Sequence, residues 1–238
     1  IYQGQKALFK GLWIENKWDW SKVHPVIHIG FNGIGHREIG LVAAINEELT
    51  LIAKGYGITF QSNGYARRFK ELITKVAQKH GKVVLLIDEY DKPIIDYLGS
   101  QVAQAEENRA LLKSFYSVIK TSDSYIEFLM ITGISKFSKV SIFSELNNLT
   151  DITFHPRYPH LTGITQGELE QYFADRIEEL ARKQGITRDD LLQKIRYWYN
   201  GYSWDGQYFV YNPYSLLSYF DFGIFKNFWF ETGTPTFL

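Results

Sequence analysis

VVLLIDEYD, residues Val83–Asp91, is the stretch on which the reading of the fold turns. Five apolar residues, most of them branched, run straight into Asp88 and Glu89. A short continuous run of this kind reads as a strand buried on both faces, as in a parallel sheet. In open parallel sheets ligands bind beyond the carboxyl ends of the strands. Asp88 and Glu89 are therefore expected at the lip of the sheet. An apolar run ending in acid also describes many ordinary buried strands, so the neighbouring segments have to decide.

Upstream, Val26–Phe31 (VIHIGF) follows His24-Pro25 as a second short apolar strand, and Asn32–Gly35 forms a turn. Ile39, Val42, Ile45, Leu49 and Ile52 recur at helical spacing. Phe69, Leu72, Ile73 and Val76 mark another helix that ends near Gly81. Residues 1–20 read as a helix tail followed by a loop in which Trp13, Trp18 and Trp20 serve packing. Downstream, the chain is loop-like from Pro93 to Gly99, and Leu111, Leu112, Phe115, Val118 and Ile119 mark a helix. Ile126–Ile131 (IEFLMI) is a further buried-strand run that closes on Thr132-Gly133. Strands alternating with helices argue for an α/β fold with a parallel sheet and right-handed crossovers. A loop over Ser135–Ser144 and a short final strand near Ile152–Phe154 complete the core. Pro156 and Pro159 mark the boundary, giving a core over 1–158 and a second domain over 159–238.

The second domain opens on a capping box, Thr165 with Glu168, followed by Leu169, Tyr172, Phe173, Ile177 and Leu180 on one helical face. Thr187 caps a helix carrying Leu191, Leu192, Ile195 and Trp198. Asp205-Gly206, between Tyr202–Trp204 and Tyr208–Tyr211, signals a hairpin. Asn212-Pro213 opens a last helix through Phe220. Helix, helix, hairpin, helix is the outline of a small winged-helix-like domain. The aromatic cluster Tyr197, Trp198, Tyr199, Tyr202, Trp204, Tyr208, Phe209 and Tyr211 reads as core and hairpin packing.

Composition narrows the chemistry. The 238 residues suffice for a full core. The 26 basic and 26 acidic residues cancel, so no global basic footprint points to nucleic acid. The absence of cysteine excludes disulfides and thiol nucleophiles and fits a reducing, cytoplasmic compartment. No apolar run reaches the roughly 20 residues a spanning helix needs. The six histidines are scattered without zinc-site spacing, and no G-x-S-x-G elbow occurs. The chain begins at Ile1, without methionine, and is expected to be a piece of a longer protein.

Thr132 ends the strand after Asp88-Glu89, so its hydroxyl can stand beside the acidic pair. That trio suits phosphoryl transfer, which needs placement and charge neutralisation more than covalent help. Asp88 would hold hydrated magnesium, Glu89 would position the attacking water, and Thr132 would sense the γ-phosphate.

VVLLIDEYDKPI, FLMITGISKFSKVSIFSELNNLTDIT, WYNGYSW with VYNPYSLLSYF, and FWFETGTPTFL together resemble the bacterial AAA-ATPase-like family. Its members resemble P-loop ATPases of the STAND and archaeal type, and many carry a PD-(D/E)XK nuclease-like domain further towards the C-terminus. The resemblance implies a P-loop NTPase core, ATP and Mg²⁺ as cofactors, Asp88 and Glu89 as the Walker B pair, and Thr132 with Ser135 as the sensor region. It also implies a G-x-x-x-x-G-K-[ST] loop shortly before Ile1. Neither Gly4 nor Gly11 has the lysine such a loop requires. The core is therefore expected to be incomplete, lacking its first strand and phosphate loop, and to bind nucleotide weakly by itself. In the family's strand order the three strands named above stay contiguous. The exposed gap makes strand exchange or a homo-oligomer an expectation.

Two rivals remain in view. A nuclease would recruit Asp88, Glu89, Asp91 and Lys92, but E-Y-D-K lacks the acid-x-Lys pattern of one strand face. A nucleic-acid or protein interaction module without turnover would use the basic side formed by Arg182, Lys183, Arg188, Lys194 and Arg196. Those charges alternate with Glu178, Glu179, Asp189 and Asp190, the signature of a solvated face.

Overall fold

The structure, a computed structural model, describes residues 1–99, 101–134, 142–143, 146 and 148–229. The backbone packs as two compact units, 1–149 and 150–238.

The first unit is a mixed α/β fold on a three-stranded parallel sheet. The segment expected as a helix tail forms two 3-10 turns, Lys6–Phe9 and Trp13–Asn16. β1 (Val26–Gly30) follows, then α1 (His36–Ile39), α2 (Leu41–Gly55) and α3 (Tyr65–His80). β2 (Val83–Asp88) occupies the centre of the sheet. α4 (Lys92–Ile95) and α5 (Val102–Thr121) lead to β3 (Ile126–Ile131). The three strands are contiguous in the order β1-β2-β3, with Ile29 opposite Ile87 and Ile87 opposite Ile131.

The sheet is covered unequally. Ile27, Ile29, Val83, Leu85 and Ile87 share one cluster with the apolar sides of α2, α3 and α5. Phe69, Leu72, Ile73 and Val76 of α3 are all fully buried there, each contributing about 1.5–3 kcal/mol. Strand residues alternate faces, so His28, Leu86, Phe128 and Met130 fall on the other side. There Tyr2 stacks on Phe128 with ring centroids 5.5 Å apart, while His28, Phe128 and Met130 stay exposed. β3 ends the sheet order among the described residues, and one of its faces is exposed where burial on both faces was expected.

Other sequence expectations shift for local reasons. β2 stops at Asp88, before Glu89. Gly40, at φ 82° and ψ 152°, separates α1 from α2 and breaks the helical phase, leaving Ile39 and Val42 exposed. The buried stripe of α2 keeps the expected Ile45 and Leu49 and adds Leu41, Ala44 and Ala53. Trp18 packs edge-on against Tyr2 and Trp20 against Phe9, but Trp13 is 72% exposed. Lys92–Ile95 is helical where a loop was expected, and Ile152–Phe154 is not a strand. The loop expected over Ser135–Ser144 lies largely outside the described residues.

Glu71 ties the connection between α2 and α3 to α3 itself. Its carboxylate accepts the N–H of Gln61 at 2.9 Å and of Ser62 at 2.8 Å, and pairs with Lys75 Nζ at 2.6 Å. Desolvation pushes this carboxyl up, but Lys75 and the two backbone donors outweigh it and hold it at about 2. The folded value lies below the unfolded one. This contribution is therefore complete above the usual 4.5 and is lost as pH falls towards 2. Glu71→Gln is expected to cost ~1–2 kcal/mol at neutral pH. The acid limb of the denaturation midpoint should flatten with it, and an acid limb unchanged in the variant would refute the assignment.

The second unit contains α6 (Gln166–Tyr172), α7 (Ala174–Gln184), α8 (Arg188–Tyr199), an antiparallel pair β4 (Asn200–Tyr202) and β5 (Val210–Tyr211), and α9 (Pro213–Phe222). The expected caps are formed. Thr165 and Glu168 close the capping box, Thr187 accepts the Asp190 N–H at 3.1 Å, and Asn212 accepts the Ser215 N–H at 2.9 Å. The first expected helix is interrupted at Phe173, whose φ of −116° and ψ of 15° leave the helical region. Asp205-Gly206 sits in a longer loop between β4 and β5, where Asp205 Oδ1 accepts the N–H groups of Gln207 and Tyr208, both at 2.9 Å.

Of the aromatic cluster, only Tyr199 and Tyr211 are buried. Leu191, Ile195 and Tyr199 share the inward stripe of α8, which turns Tyr197 outward to 84% exposure. Two residues of the basic side, Lys183 and Arg188, are paired with acidic neighbours. Lys183 meets Glu179 at 2.6 Å, and Arg188 meets Glu170 at 3.3 Å and Glu178 at 3.5 Å. Among the described residues no helix is long and apolar enough to cross a membrane.

Candidate functional site

The carboxyl edge of β2 and β3 brings Asp88 and Thr132 together. Alternation along β2 puts Asp88 on the face away from the helices, and register sets it opposite Gly30 of β1. The parallel ladder runs on past β3. Thr132 donates its N–H to the Ile87 carbonyl at 2.9 Å and accepts the Tyr90 N–H at 3.0 Å. Phe31 donates to the Asp88 carbonyl at 3.0 Å from the other side. With the backbone fixed on both flanks, the Thr132 hydroxyl donates to Asp88 Oδ1. Asp88 is solvent-exposed, while Glu89 and Thr132 are half-buried, so all three are open to a ligand.

Glu89 is the only non-glycine with positive φ among the described residues, at 51°. This left-handed turn ends β2 one residue after the apolar run. Its N–H donates to Asp88 Oδ1 at 3.1 Å, so one carboxylate oxygen receives both the Thr132 hydroxyl and the Glu89 amide. A non-glycine in this region costs about 1–2 kcal/mol, and such strain collects at functional sites.

A divalent cation fits this donor set. Mg²⁺ keeps several waters and is usually held by one or two carboxylates together with substrate phosphates, rather than by a protein cage. Asp88 offers one exposed carboxylate at the open lip. No cluster of three or more His, Cys, Asp or Glu able to hold a metal occurs among the described residues. Ser135 lies outside the described residues.

The nuclease quartet does not converge. Asp91 is wholly buried, and Lys92 Nζ pairs with Asp96 Oδ1 at 2.9 Å.

Several contacts at this edge escaped sequence reasoning, which weighed Asp91 only as a nuclease ligand. Asp91 Oδ1 accepts the Ile134 N–H at 3.3 Å. A Cβ at Gly133 would stand 2.5 Å from two carbons of the Tyr90 ring and 2.7 Å from Asp91 Oδ1. Buried Tyr116 donates its hydroxyl to the Tyr90 carbonyl at 3.2 Å. Desolvation pushes that phenol well above its ordinary value, and the nearby Tyr90 and Asp91 add to the effect. At the start of α1, buried His36 sits with Nε2 3.2 Å from Asp96 Oδ2, short of hydrogen-bond geometry. Desolvation lowers His36 below the usual imidazole value, against the pull of Asp96. None of these residues belongs to a recognisable spacing. Their partners are far away in sequence.

Residues 1–143 match the family model AAA-ATPase-like, described as a predicted AAA-ATPase. The chain is also 45% identical over 240 residues to a protein of Azotobacter chroococcum mcd 1 named "Uncharacterized protein in vnfD 5'region". That alignment covers 100% of this chain and 44% of the other protein, so the chain spans less than half the length of this curated relative. No solved structure matches the chain.

Proposed function

Because the chain belongs to the AAA-ATPase-like family, we propose that it is the ATP-binding and ATP-hydrolysing part of a longer bacterial protein. The observation that carries this reading is the Asp88 carboxylate, bonded to the Thr132 hydroxyl beside the strained Glu89 at the open carboxyl edge of a parallel sheet. In this reading Asp88 holds hydrated Mg²⁺, which would neutralise charge on the transferring phosphoryl group. Glu89 orients the attacking water and takes its proton. Thr132, and Ser135 after it, meet the γ-phosphate from the neighbouring strand end.

The phosphate cradle is proposed to come from a G-x-x-x-x-G-K-[ST] loop upstream of Ile1. Its strand would pair with the outer edge of β3, beside exposed Phe128 and Met130. The same edge is where two copies could meet. The order of elements in the second unit supports a winged-helix-like lid, and the STAND-like grouping and cytoplasmic location belong to the same proposal.

The test is binding of a fluorescent ATP analogue to a form of the protein carrying the upstream loop. Asp88→Asn should weaken Mg²⁺-dependent binding by about tenfold or more, as chelation does. Binding that ignores both Mg²⁺ and Asp88→Asn rejects the reading.

A second reading, partner binding without turnover, is favoured by the exposed Tyr202, Trp204, Tyr208 and Phe209 of the second unit. It gains if the loop-bearing form binds no nucleotide.

A further inference from the structure

Asp91 occupies the N-cap position of α4, where an aspartate ordinarily accepts an N–H of the first helical turn. Here the side chain makes no cap bond. The backbone carbonyl of Asp91 serves the helix instead, accepting the N–H groups of Ile94 at 2.9 Å and Ile95 at 3.0 Å. The carboxylate turns towards the next strand end and accepts the Ile134 N–H. It is completely buried. Burying a carboxylate is costly unless it is well paired, so this group contributes little by being interior and much by what it holds.

What it holds is the second half of the site. The chain from Asp88 to Asp91 and the chain from Ile131 to Ile134 run side by side beyond the sheet. They are joined by Thr132 N–H to Ile87, Tyr90 N–H to Thr132, and Ile134 N–H to Asp91. The last of these lies furthest from the ladder and, like the Thr132 hydroxyl bond to Asp88, is made to a side chain. Gly133 lets the two segments approach, since any side chain there would meet Asp91 Oδ1 and the Tyr90 ring.

We infer that Asp91 is a positioning residue for the proposed reaction: it fastens the 132–134 turn against the Asp88–Glu89 turn, so that the Thr132 hydroxyl stays on Asp88 and Glu89 stays in its left-handed conformation. Asp91 touches neither nucleotide nor metal in this scheme and acts through Thr132 and Glu89. The inference rests on the ATPase reading, and the experiment separates the two.

Amide hydrogen exchange is measured on this 238-residue chain, unaltered and as Asp91→Ala and Asp91→Asn. Asp91→Ala should speed exchange at Ile134 by ~10-fold or more while α2 and α3 keep their protection. Asp91→Asn retains an acceptor oxygen and should stay within about threefold of the unaltered chain. If Asp91→Ala does not fold, Asp91→Ser, whose hydroxyl is too short to reach Ile134, replaces it with the same expectation. In a loop-bearing form that hydrolyses ATP, Asp91→Ala should lower kcat by ~10-fold or more with little change in KM, and Asp91→Asn should restore most of it. Unchanged exchange at Ile134, exchange raised evenly across the whole first unit, or an unaltered kcat would each overturn the inference. If the unaltered loop-bearing form shows no turnover, the ATPase reading fails, and the exchange measurements alone decide whether Asp91 fastens the turn.

Discussion

Glu89→Gln is expected to lower ATP turnover by about 10²-fold or more while leaving Mg²⁺-dependent nucleotide binding intact. The substitution keeps the length and shape of the side chain and removes only its capacity to take a proton. The Glu89 backbone is held by neighbours that do not involve its carboxylate, since its N–H goes to Asp88 and the following residue is anchored on Thr132. The variant should therefore unfold at the same denaturant concentration as the unaltered protein. Steady-state turnover and nucleotide binding in the loop-bearing form check the two halves separately. Turnover that survives Glu89→Gln removes Glu89 from the role of water-positioning base. Glu89→Gly supplies the complementary result. Glycine adopts φ near 51° without strain, so this variant should be as stable as the unaltered chain, or about 1 kcal/mol more stable, yet equally inactive. Loss of activity without loss of stability would show that the strain is retained for the carboxylate's position and contributes nothing to the fold.

What could be read in the sequence was whatever depends on near neighbours. The caps at Thr165, Thr187 and Asn212 are fixed by contacts spanning only a few residues and appear where the spacing puts them, and the β2 run is legible as a continuous apolar stretch although its strand ends at Asp88. The pairing of Asp88 with Thr132 was also legible, because two consecutive parallel strands carry their ends to the same edge. The exposure of β3 was not, since IEFLMI looks the same whether a strand, a helix or water lies beside it. The phase of α2 was misread at its start, because Gly40 ends α1 after Ile39 and α2 begins afresh at Leu41, which turns Val42 outward while Ile45 and Leu49 pack as expected. Asp91 is the instructive case. The stretch from Pro93 reads as a loop, yet Asp91 stands at the N-cap position of α4, and its side chain answers to Ile134, 43 positions away.

Gly133→Ala tests that long-range geometry most directly, and a loss of ~2–3 kcal/mol in stability is expected from overpacking. The reason is space, with no appeal to glycine's backbone freedom. The added methyl would lie 2.5 Å from Tyr90 Cδ1 and Cε1 and 2.7 Å from Asp91 Oδ1. Neither neighbour has an easy retreat. The Tyr90 ring is 7% exposed and packs at 4.9 Å on Phe143, while its carbonyl is held by the Tyr116 hydroxyl. Asp91 is interior and anchored through its own carbonyl to α4. The 132–134 turn must therefore lift, and lifting it draws the Thr132 hydroxyl off Asp88. Denaturant unfolding should show a lower midpoint with an unchanged slope, since the surface exposed on unfolding stays the same. A double-mutant cycle identifies the obstacle. Tyr90→Leu should cost less in the Gly133→Ala background than in the unaltered chain, by ~1 kcal/mol of coupling. If the two substitutions add within about 0.5 kcal/mol, the Tyr90 ring is not what bars a side chain at position 133. The close packing of the two strand ends would then have to be explained without it.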